Sequence, residues 1–250
     1  MSRSVERALS ILNLFDCNKT EWGISEISRE LDLSKSTVHG LVKALEKQDF
    51  LQMADNGKYG LGIKVYELGR TYSGNIRLNS AAEPMIKWLG KKYQESVHLA
   101  IYAGNKAVFI INNQAGGDGS AFPKAGAEVF AYCTAVGKVL LAFQAEEDIE
   151  KYLNNESMIP LTSNTITDPE VLRSELKTVK QQRFAVDREE ALVGIACVAA
   201  PIFSVSRQII AGISVSGNAE KILNEQFISG CCRDVVRAAQ TISELMGYMG

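Results

Sequence analysis

One stretch of the 250-residue chain decides the fold of its first part: Ser34-Lys35-Ser36-Thr37-Val38-His39-Gly40-Leu41-Val42-Lys43-Ala44-Leu45-Glu46-Lys47. Its apolar positions follow the i, i+3, i+4, i+7 spacing of a helix with one buried face, at Val38, Leu41, Val42 and Leu45. Ser34 stands at the N-cap, where a hydroxyl accepts a hydrogen bond from the first helical turn. The opposite face is polar and carries Ser36, His39, Gly40, Lys43 and Lys47.

The segments on either side of this helix predict the rest of a small domain. Apolar residues at helical spacing predict an earlier helix with an inward face, at Val5, Leu9, Leu12 and Phe15. A short second helix is predicted after Trp22, with Ser25 as its N-cap and an inward face of Ile24, Ile27 and Leu31. Two short apolar runs flank Asp55-Asn56-Gly57, which is a strong signal for a β-hairpin. This order of elements predicts a winged helix-turn-helix over residues 1–62.

The remaining chain predicts a helical linker followed by a larger α+β domain. Residues 63–80 keep helical spacing, and their apolar side chains form either a seam between two subunits or contacts within one subunit, at Leu68, Tyr72 and Leu78. A second linker helix is predicted at 79–93 and runs into the larger domain over residues 81–250. In that domain we predict strands at 97–102, 107–111, 184–187, 195–203 and 208–216, and helices at 133–143, 146–153, 167–182 and 219–246. Helices mixed with neighbouring antiparallel strands favour one sheet with a covered face. The Gly-rich segment 114–127 is predicted to be a loop and is a candidate border of a cavity.

Composition and charge narrow the class of protein. Hydrophobic residues make up 46% and charged residues 22% of the chain, as in a globular protein with a sizeable core. The net charge is −2, so any affinity for nucleic acid has to be local. The sequence shows neither a membrane-spanning apolar run nor a signal-peptide core, so we expect a cytoplasmic protein without a membrane partner. Five cysteines without Cys-x-x-Cys spacing and only two histidines favour neither a disulfide framework nor a metal site, and no cofactor is indicated.

The polar face of the Ser34–Lys47 helix is the candidate DNA-binding surface. In a helix-turn-helix the second helix lies in the major groove, and a helix N-terminus favours a phosphate. Residues 34–48 carry three lysines and one glutamate, so this edge is locally positive, although residues 1–60 are not basic as a whole. Gly40 is costly inside a helix and indicates close approach either to DNA or to a neighbouring helix. The candidate contacts are Lys35, Ser36, Thr37, His39, Gly40, Lys43 and Lys47, with Lys58 and Tyr59 on the hairpin; the alternative is a solvated face of a protein-interaction module.

Short motifs along the chain form an ordered series. In the first part they are Ser2-Arg3-Ser4-Val5-Glu6-Arg7-Ala8-Leu9, Ser34-Lys35-Ser36-Thr37-Val38 and Lys58-Tyr59-Gly60-Leu61-Gly62. In the second part they are Thr134-Ala135-Val136-Gly137-Lys138-Val139-Leu140-Leu141-Ala142, Asp187-Arg188-Glu189-Glu190, and Cys197-Val198-Ala199-Ala200-Pro201-Ile202-Phe203 through Gly212-Ile213-Ser214-Val215-Ser216-Gly217. In order and spacing the series resembles the IclR family of bacterial transcriptional regulators over nearly the whole chain. The resemblance implies a winged helix, a helical linker and a GAF-like effector domain, assembled as homodimers or dimers of dimers on palindromic promoter sites in double-stranded DNA.

The resemblance also implies a small-molecule effector site in the second part. It assigns effector contacts to Asp187, Ile195, Cys197, Ser214 and Ser216, and to the turn at Ala135 and Val136. Strand alternation places Ser214 and Ser216 on one face, where their hydroxyls bond either ligand or water in a cavity, or neighbouring backbone. Backbone N–H groups at a helix start suit a carboxylate, so the expected effector is a small carboxylic acid.

The chain departs from the usual family pattern at this site. Val136 is bulkier than the residues common at that turn, and Ala196 stands where arginine is common. Asp187 would repel an anionic effector, so we expect it to read a hydroxyl or amine of the ligand, or to lie at the pocket rim.

These features predict a ligand-responsive transcriptional regulator, a repressor, without catalytic residues. The alternative from another class is a small-molecule hydrolase or thiol enzyme with an accessory DNA-binding domain. In that interpretation Cys197, His98 and Asp187 would serve as nucleophile, base and orienting group, although no nucleophile motif surrounds Cys197. An interaction scaffold without affinity for DNA is a third alternative.

Overall fold

The computed structural model of the chain describes residues 3–16, 19–74, 77–113 and 124–249. The chain forms two compact units, residues 1–76 and 77–250. No described helix combines the length and the apolar composition needed to cross a membrane. Most of the predicted 114–127 loop, residues 114–123, lies outside the described residues.

The first unit is a winged helix-turn-helix, as predicted. Its elements in chain order are α1 (Arg3–Leu12), α2 (Ile24–Glu30), α3 (Lys35–Lys47), β1 (Leu51–Met53), β2 (Tyr59–Leu61) and α4 (Ile63–Gly74). Ser34 caps α3, since its Oγ accepts a hydrogen bond from the Thr37 N–H at 3.2 Å. The hairpin closes on the helices because Trp22 forms a β-bridge with Tyr59. The buried core consists of Ile11, Trp22, Ile27, Val38, Val42, Leu51 and Tyr59.

Two predictions about the first two helices are wrong. Ser25 lies inside α2 rather than at its N-cap, because Gly23 holds that position and its N–H donates to Glu26 Oε2 at 2.7 Å. Val5 and Leu9 do not face the core: they are 58% and 55% exposed. Ile11 is buried instead, while the predicted Leu12 and Phe15 are partly buried against the same core. Only Val5 and Leu9 of the predicted inward face are exposed in the described part of the chain.

The second unit is built on one antiparallel sheet. Its strands are β3 (Ser96–Ala103), β4 (Lys106–Asn113), β5 (Glu128–Phe130), β6 (Ala185–Arg188), β7 (Ile195–Phe203) and β8 (Ile209–Asn218), in the spatial order β5-β4-β3-β8-β7-β6. The helices are α5 (Arg77–Tyr93), α6 (Ala135–Ala142), α7 (Glu146–Asn155), α8 (Pro169–Gln182), α9 (Ala219–Ile222) and α10 (Glu225–Leu245). Helix α6 packs on one face of the sheet with α7 and α8 beyond it, and α5 and α10 pack on the other face. The predicted α+β architecture is confirmed.

Three details of this unit differ from the sequence predictions. Strand β5 was not expected, because three residues are too few to show alternation. The predicted 219–246 helix is two helices: α9 ends at Ile222, and Asn224 caps α10 by accepting from Gln226 N–H and Phe227 N–H. Helix α8 begins at Pro169, two residues later than predicted, because Asp168 caps it: Asp168 Oδ1 accepts from Glu170 N–H at 2.8 Å and from Val171 N–H at 3.1 Å.

Candidate functional site

The polar face of α3 is open to solvent. Among its candidate DNA contacts, Thr37 is half-buried beside Ser34, and the exposed ones are Lys35, Ser36, His39, Gly40, Lys43 and Lys47. The Thr37 hydroxyl lies 2.8 Å from the Ser34 hydroxyl, which ties it to the helix cap. The apolar face of the same helix is fully buried at Val38 and Val42. The helix therefore presents one face, as a groove-binding helix requires.

The lysines of this surface fall into two groups. Lys43 Nζ donates to Glu46 Oε2 at 2.7 Å, and Lys58 Nζ donates to Glu26 Oε1 at 3.2 Å. Lys35 and Lys47 form no ion pair with any described residue. A phosphate would have to displace a carboxylate to reach the first two lysines but not the other two.

Tyr59 has to be removed from the candidate contacts. Its side chain is 3% exposed and belongs to the core between Trp22 and α3. The Lys43 ammonium lies 5.8 Å from its ring centre. Strand β2 alternates sides, and the pleat turns Tyr59 inward. Its place is under the recognition helix rather than on DNA.

Gly40 has open space where a side chain would be. A Cβ atom at this position would meet nothing within 4 Å. The interpretation that Gly40 makes room for a neighbouring helix is therefore wrong for the described part of this chain. The other interpretation, that Gly40 allows close approach to DNA, stays a prediction.

A cavity of about 190 Å³ lies between the sheet and α6. It is lined by all seven residues predicted as effector contacts, namely Ala135, Val136, Asp187, Ile195, Cys197, Ser214 and Ser216. The other lining residues are His98, Phe109, Val129, Thr134, Ala191 and Leu192. His98 was named only as a candidate catalytic base, and the other five were not predicted as site residues.

The sheet register explains how the polar wall of the cavity arises. Ser216 of β8 pairs with Cys197 of β7, which pairs in turn with Asp187 of β6. Ser214 pairs with His98 of β3 on the other side of β8. Directly paired residues share one face of a sheet. The five side chains therefore form a continuous polar and thiol-bearing surface on the face that α6 covers.

The start of α6 forms the facing wall. Thr134 is its N-cap: Oγ1 donates to Phe130 O at 2.9 Å and accepts from Gly137 N–H at 3.2 Å. The first turn of a helix directs N–H groups outward, and Ala135 and Val136 are the first two residues of α6. Val136 also packs on the sheet at Gly212, where an added Cβ would lie 2.8 Å from Val136 Cγ2. The wall thus combines N–H donors with an apolar surface.

Asp187 is part of the cavity wall and not of its rim, which corrects one of the two expectations for it. Its side chain is 2% exposed. One oxygen, Oδ1, accepts a hydrogen bond from the Glu190 N–H at 2.7 Å. Burial raises the pKa of Asp187 to about 7, against the lowering effect of that hydrogen bond. A neutral Asp187 would neither repel a carboxylate nor lose its capacity to bind a ligand hydroxyl.

Models of known families match both units of the chain. The model described as "Bacterial transcriptional regulator IclR C-terminal" matches residues 70–244, and the one described as "IclR helix-turn-helix domain" matches residues 4–54. The chain belongs to the IclR family of bacterial transcriptional regulators.

Relatives within the IclR family align over almost the full chain. The HTH-type transcriptional regulator XynR of Escherichia coli K12 is 32% identical over 98% of both chains. The HTH-type transcriptional repressor AllR of Salmonella typhimurium is 30% identical over 98% of this chain and 90% of its own. The crystal structure of an IclR homolog complexed with 4-hydroxybenzoate, from Microbacterium hydrocarbonoxydans, has the same fold: the TM-score is 0.86 at 23% identity, over 98% of this chain and 99% of that one.

The IclR-family cavity also contains the three residues of the alternative enzyme interpretation. Cys197, His98 and Asp187 all line it. A nucleophilic cysteine needs a lowered pKa, but here burial and the neighbouring Asp187 raise the pKa of the Cys197 thiol. Burial lowers the pKa of His98 to about 4, so its imidazole is neutral at pH 7. The arrangement lacks an activated nucleophile.

Proposed function

We propose that this IclR-family regulator is a repressor that binds a palindromic promoter site as a homodimer or dimer of dimers. A small carboxylic acid in the α6 cavity would change its affinity for DNA. The observation that carries the proposal is the cavity itself, which brings seven predicted effector contacts together beside a helix start. The presence of the repressor AllR among the relatives supports repression rather than activation. The protein would act in the cytoplasm and would not be an enzyme.

The DNA-binding half of the proposal uses α3 and the hairpin. The contacts would be Lys35, Ser36, Thr37, His39, Gly40, Lys43 and Lys47 on α3 with Lys58 on the hairpin. Because a single winged helix covers one half-site, a twofold-related pair is needed for a palindrome.

Residues 63–80 would serve as the linker between a 1–62 DNA-binding domain and an 81–250 effector domain. Leu68 is 49% exposed, together with Ile63 and Tyr66 on the same helix, and exposed apolar residues on α1 and α4 support a seam between subunits there. Leu78, in contrast, is buried within its own unit. The side chain of Tyr72 lies outside the described residues.

The effector half of the proposal assigns a carboxylate to the start of α6. Helix N-termini bind anions through free N–H groups and the helix dipole. The polar wall with Asp187, Ser214 and Ser216 would read a hydroxyl or amine on the same ligand. The 4-hydroxybenzoate bound to the Microbacterium homolog, which carries a carboxylate and a hydroxyl, is consistent with this chemistry.

A DNA-retention experiment tests both halves. Full-length protein is titrated onto labelled DNA that flanks its own coding region, across a salt series, with and without a panel of small carboxylic acids. Retention that falls steeply with salt and is altered by one of the acids supports the proposal. Salt-independent retention would favour an interaction scaffold, and turnover of an acid would favour an enzyme.

Replacing Gly40 with alanine should separate folding from DNA binding. The new methyl group meets nothing within 4 Å, so the helix gains about 1 kcal/mol of stability from the loss of glycine. On DNA the same methyl would occupy the space of close approach, and we expect about tenfold weaker operator binding. Thermal denaturation and fluorescence anisotropy measure the two effects. Unchanged or tighter operator binding would show that Gly40 does not touch DNA.

A further inference from the structure

Lys138 is a buried lysine one turn beyond the start of α6. It is 1% exposed, although lysine is almost never fully buried unless paired. Its ammonium donates to Glu190 Oε1 at 2.7 Å, to Val186 O at 2.7 Å and to Glu175 Oε1 at 3.2 Å. An ammonium group has three donors, and all three are used. Burying such a group is expensive, so its partners are expected to serve more than a packing role.

The main partner, Glu190, belongs to the turn that follows Asp187. The Glu190 N–H donates to Asp187 Oδ1, and Glu189 between them has a positive φ of 61°. Left-handed backbone at a non-glycine residue persists only where the surroundings hold it. From outside, the turn is held by side chains of residues 162–165, which donate to the carbonyl oxygens of Arg188, Glu189 and Glu190 at 2.6 to 3.0 Å. From inside, it is held by Lys138.

The charges of the same pair act on Asp187. Glu190 raises the pKa of Asp187, and Lys138 lowers it, in addition to the effect of burial. The other ionisable groups around this carboxyl are Glu175 on α8, the thiols of Cys133 and Cys197, and His98 across the cavity. The thiols and the imidazole are neutral at pH 7, because burial raises the pKa of both thiols and lowers that of His98. Burial therefore has the largest effect on the pKa of Asp187, and among the neighbouring charges Glu190 and Lys138 shift it further, in opposite directions.

We propose that Lys138 and Glu190 are positioning residues of the effector cavity: their ion pair fixes Asp187 in the wall and sets the charge it carries when a carboxylate effector binds. This inference rests on the proposed function, because it assigns a proton-linked regulation to the same cavity. A carboxylate binds better beside a neutral Asp187 than beside a charged one. Effector binding therefore takes up a proton, and the affinity for the effector falls as the pH rises through neutrality.

The first test needs no ligand. Full-length protein with ¹³Cγ-labelled aspartate is titrated by NMR, and Asp187→Asn identifies the Asp187 signal. Glu190→Gln removes a negative neighbour and should lower the pKa of Asp187 by about one pH unit; Lys138→Met removes a positive neighbour and should raise it by a similar amount. The exposed Lys177→Met on α8 is the control and should leave it unchanged. A role confined to packing would not move the titration in opposite directions.

The inference can still be tested if Lys138→Met does not fold. Lys138→Met leaves Glu190 buried without its partner, which is destabilising. The double variant Lys138→Met/Glu190→Gln leaves no fully buried charge unpaired, since the third partner, Glu175, is 31% exposed. The pKa of Asp187 in this variant must lie above that in Glu190→Gln alone. A titration that neither Glu190→Gln nor the double variant moves would overturn the inference.

The second test uses 4-hydroxybenzoate as the probe. If only the neutral form of Asp187 accepts the acid, the wild-type Kd should rise about tenfold from pH 6 to pH 8. In Glu190→Gln the rise should begin at lower pH. An Asp187 titration that responds to both substitutions while no acid of the panel binds would count against the carboxylic-acid effector and support the positioning roles. An acid that binds with the same pH profile in wild type and Glu190→Gln would overturn them.

Discussion

Replacing Lys35 and Lys47 together with alanine is expected to weaken operator binding by about a hundredfold at moderate salt. Neither lysine forms an ion pair with a described residue, so both are free to contact phosphate without displacing a carboxylate. In a dimer the change removes about four phosphate contacts, and the slope of log K against log salt should become shallower by about 4. Anisotropy titrations between about 50 and 200 mM salt measure both quantities. Lys43→Ala should have a smaller effect, since its ammonium is bound to Glu46.

The control is a pair of exposed lysines on α8, Lys177 and Lys180. Their replacement with alanine changes the net charge of the chain by the same amount but leaves α3 intact. If this control weakened operator binding as much as the α3 variant, the lysines would act through overall charge, and α3 would not be the interface. An unchanged salt slope in the Lys35/Lys47 variant would lead to the same conclusion.

The winged helix could be predicted from local patterns because each signal lies within a few residues. Ser34 at the cap and the buried pair Val38 and Val42 behave as their spacing predicts. The outcome for α1 shows the limit of such patterns. Apolar spacing at Val5 and Leu9 indicates a face that needs covering, but it does not say whether the same chain or a second copy covers it.

Of the cavity residues, only the two serines followed from a local pattern, whereas the other predicted contacts came from the resemblance to the family. Alternation along β8 puts Ser214 and Ser216 on one face, and the structure has them there. Phe109 and Val129 were missed because strand pairing over long sequence separations brings them to the cavity. Tyr59 was misassigned for a related reason: its inward direction is set by the bridge to Trp22, which local sequence does not show.

The burial of Lys138 could not be predicted from local sequence patterns. A lysine is normally assigned to the surface, and its burial here follows from acceptors on α8, on β6 and in the turn after it. The three acceptors lie 37 to 52 residues away in the sequence. Only the folded sheet and helices place them around one ammonium group.

Gly137→Ala is expected to destabilise the effector unit by about 3 kcal/mol and to abolish the response to effector. An added Cβ would lie 2.5 Å from Ala131 Cα and 2.7 Å from Ala131 O, and these backbone atoms cannot rotate away. It would also lie 2.6 Å from Thr134 Oγ1, so the cap of α6 would be displaced. Relief of this clash requires α6 to move away from the preceding turn, which shifts the N–H groups of Ala135 and Val136.

Urea denaturation of this variant can be followed in the effector unit alone. The two tryptophans lie in different units, Trp22 in the winged helix and Trp88 in α5, so a Trp22→Phe background leaves Trp88 as the reporter. Gly230→Ala in α10 is the matched control, because its Cβ meets only Tyr93 Oη at 3.9 Å, an ordinary contact. The control should be as stable as the background or slightly more so, since alanine favours a helix over glycine. If Gly137→Ala were equally stable and still released DNA with an acid, the start of α6 would not be the rigid anion-binding wall on which the effector site depends.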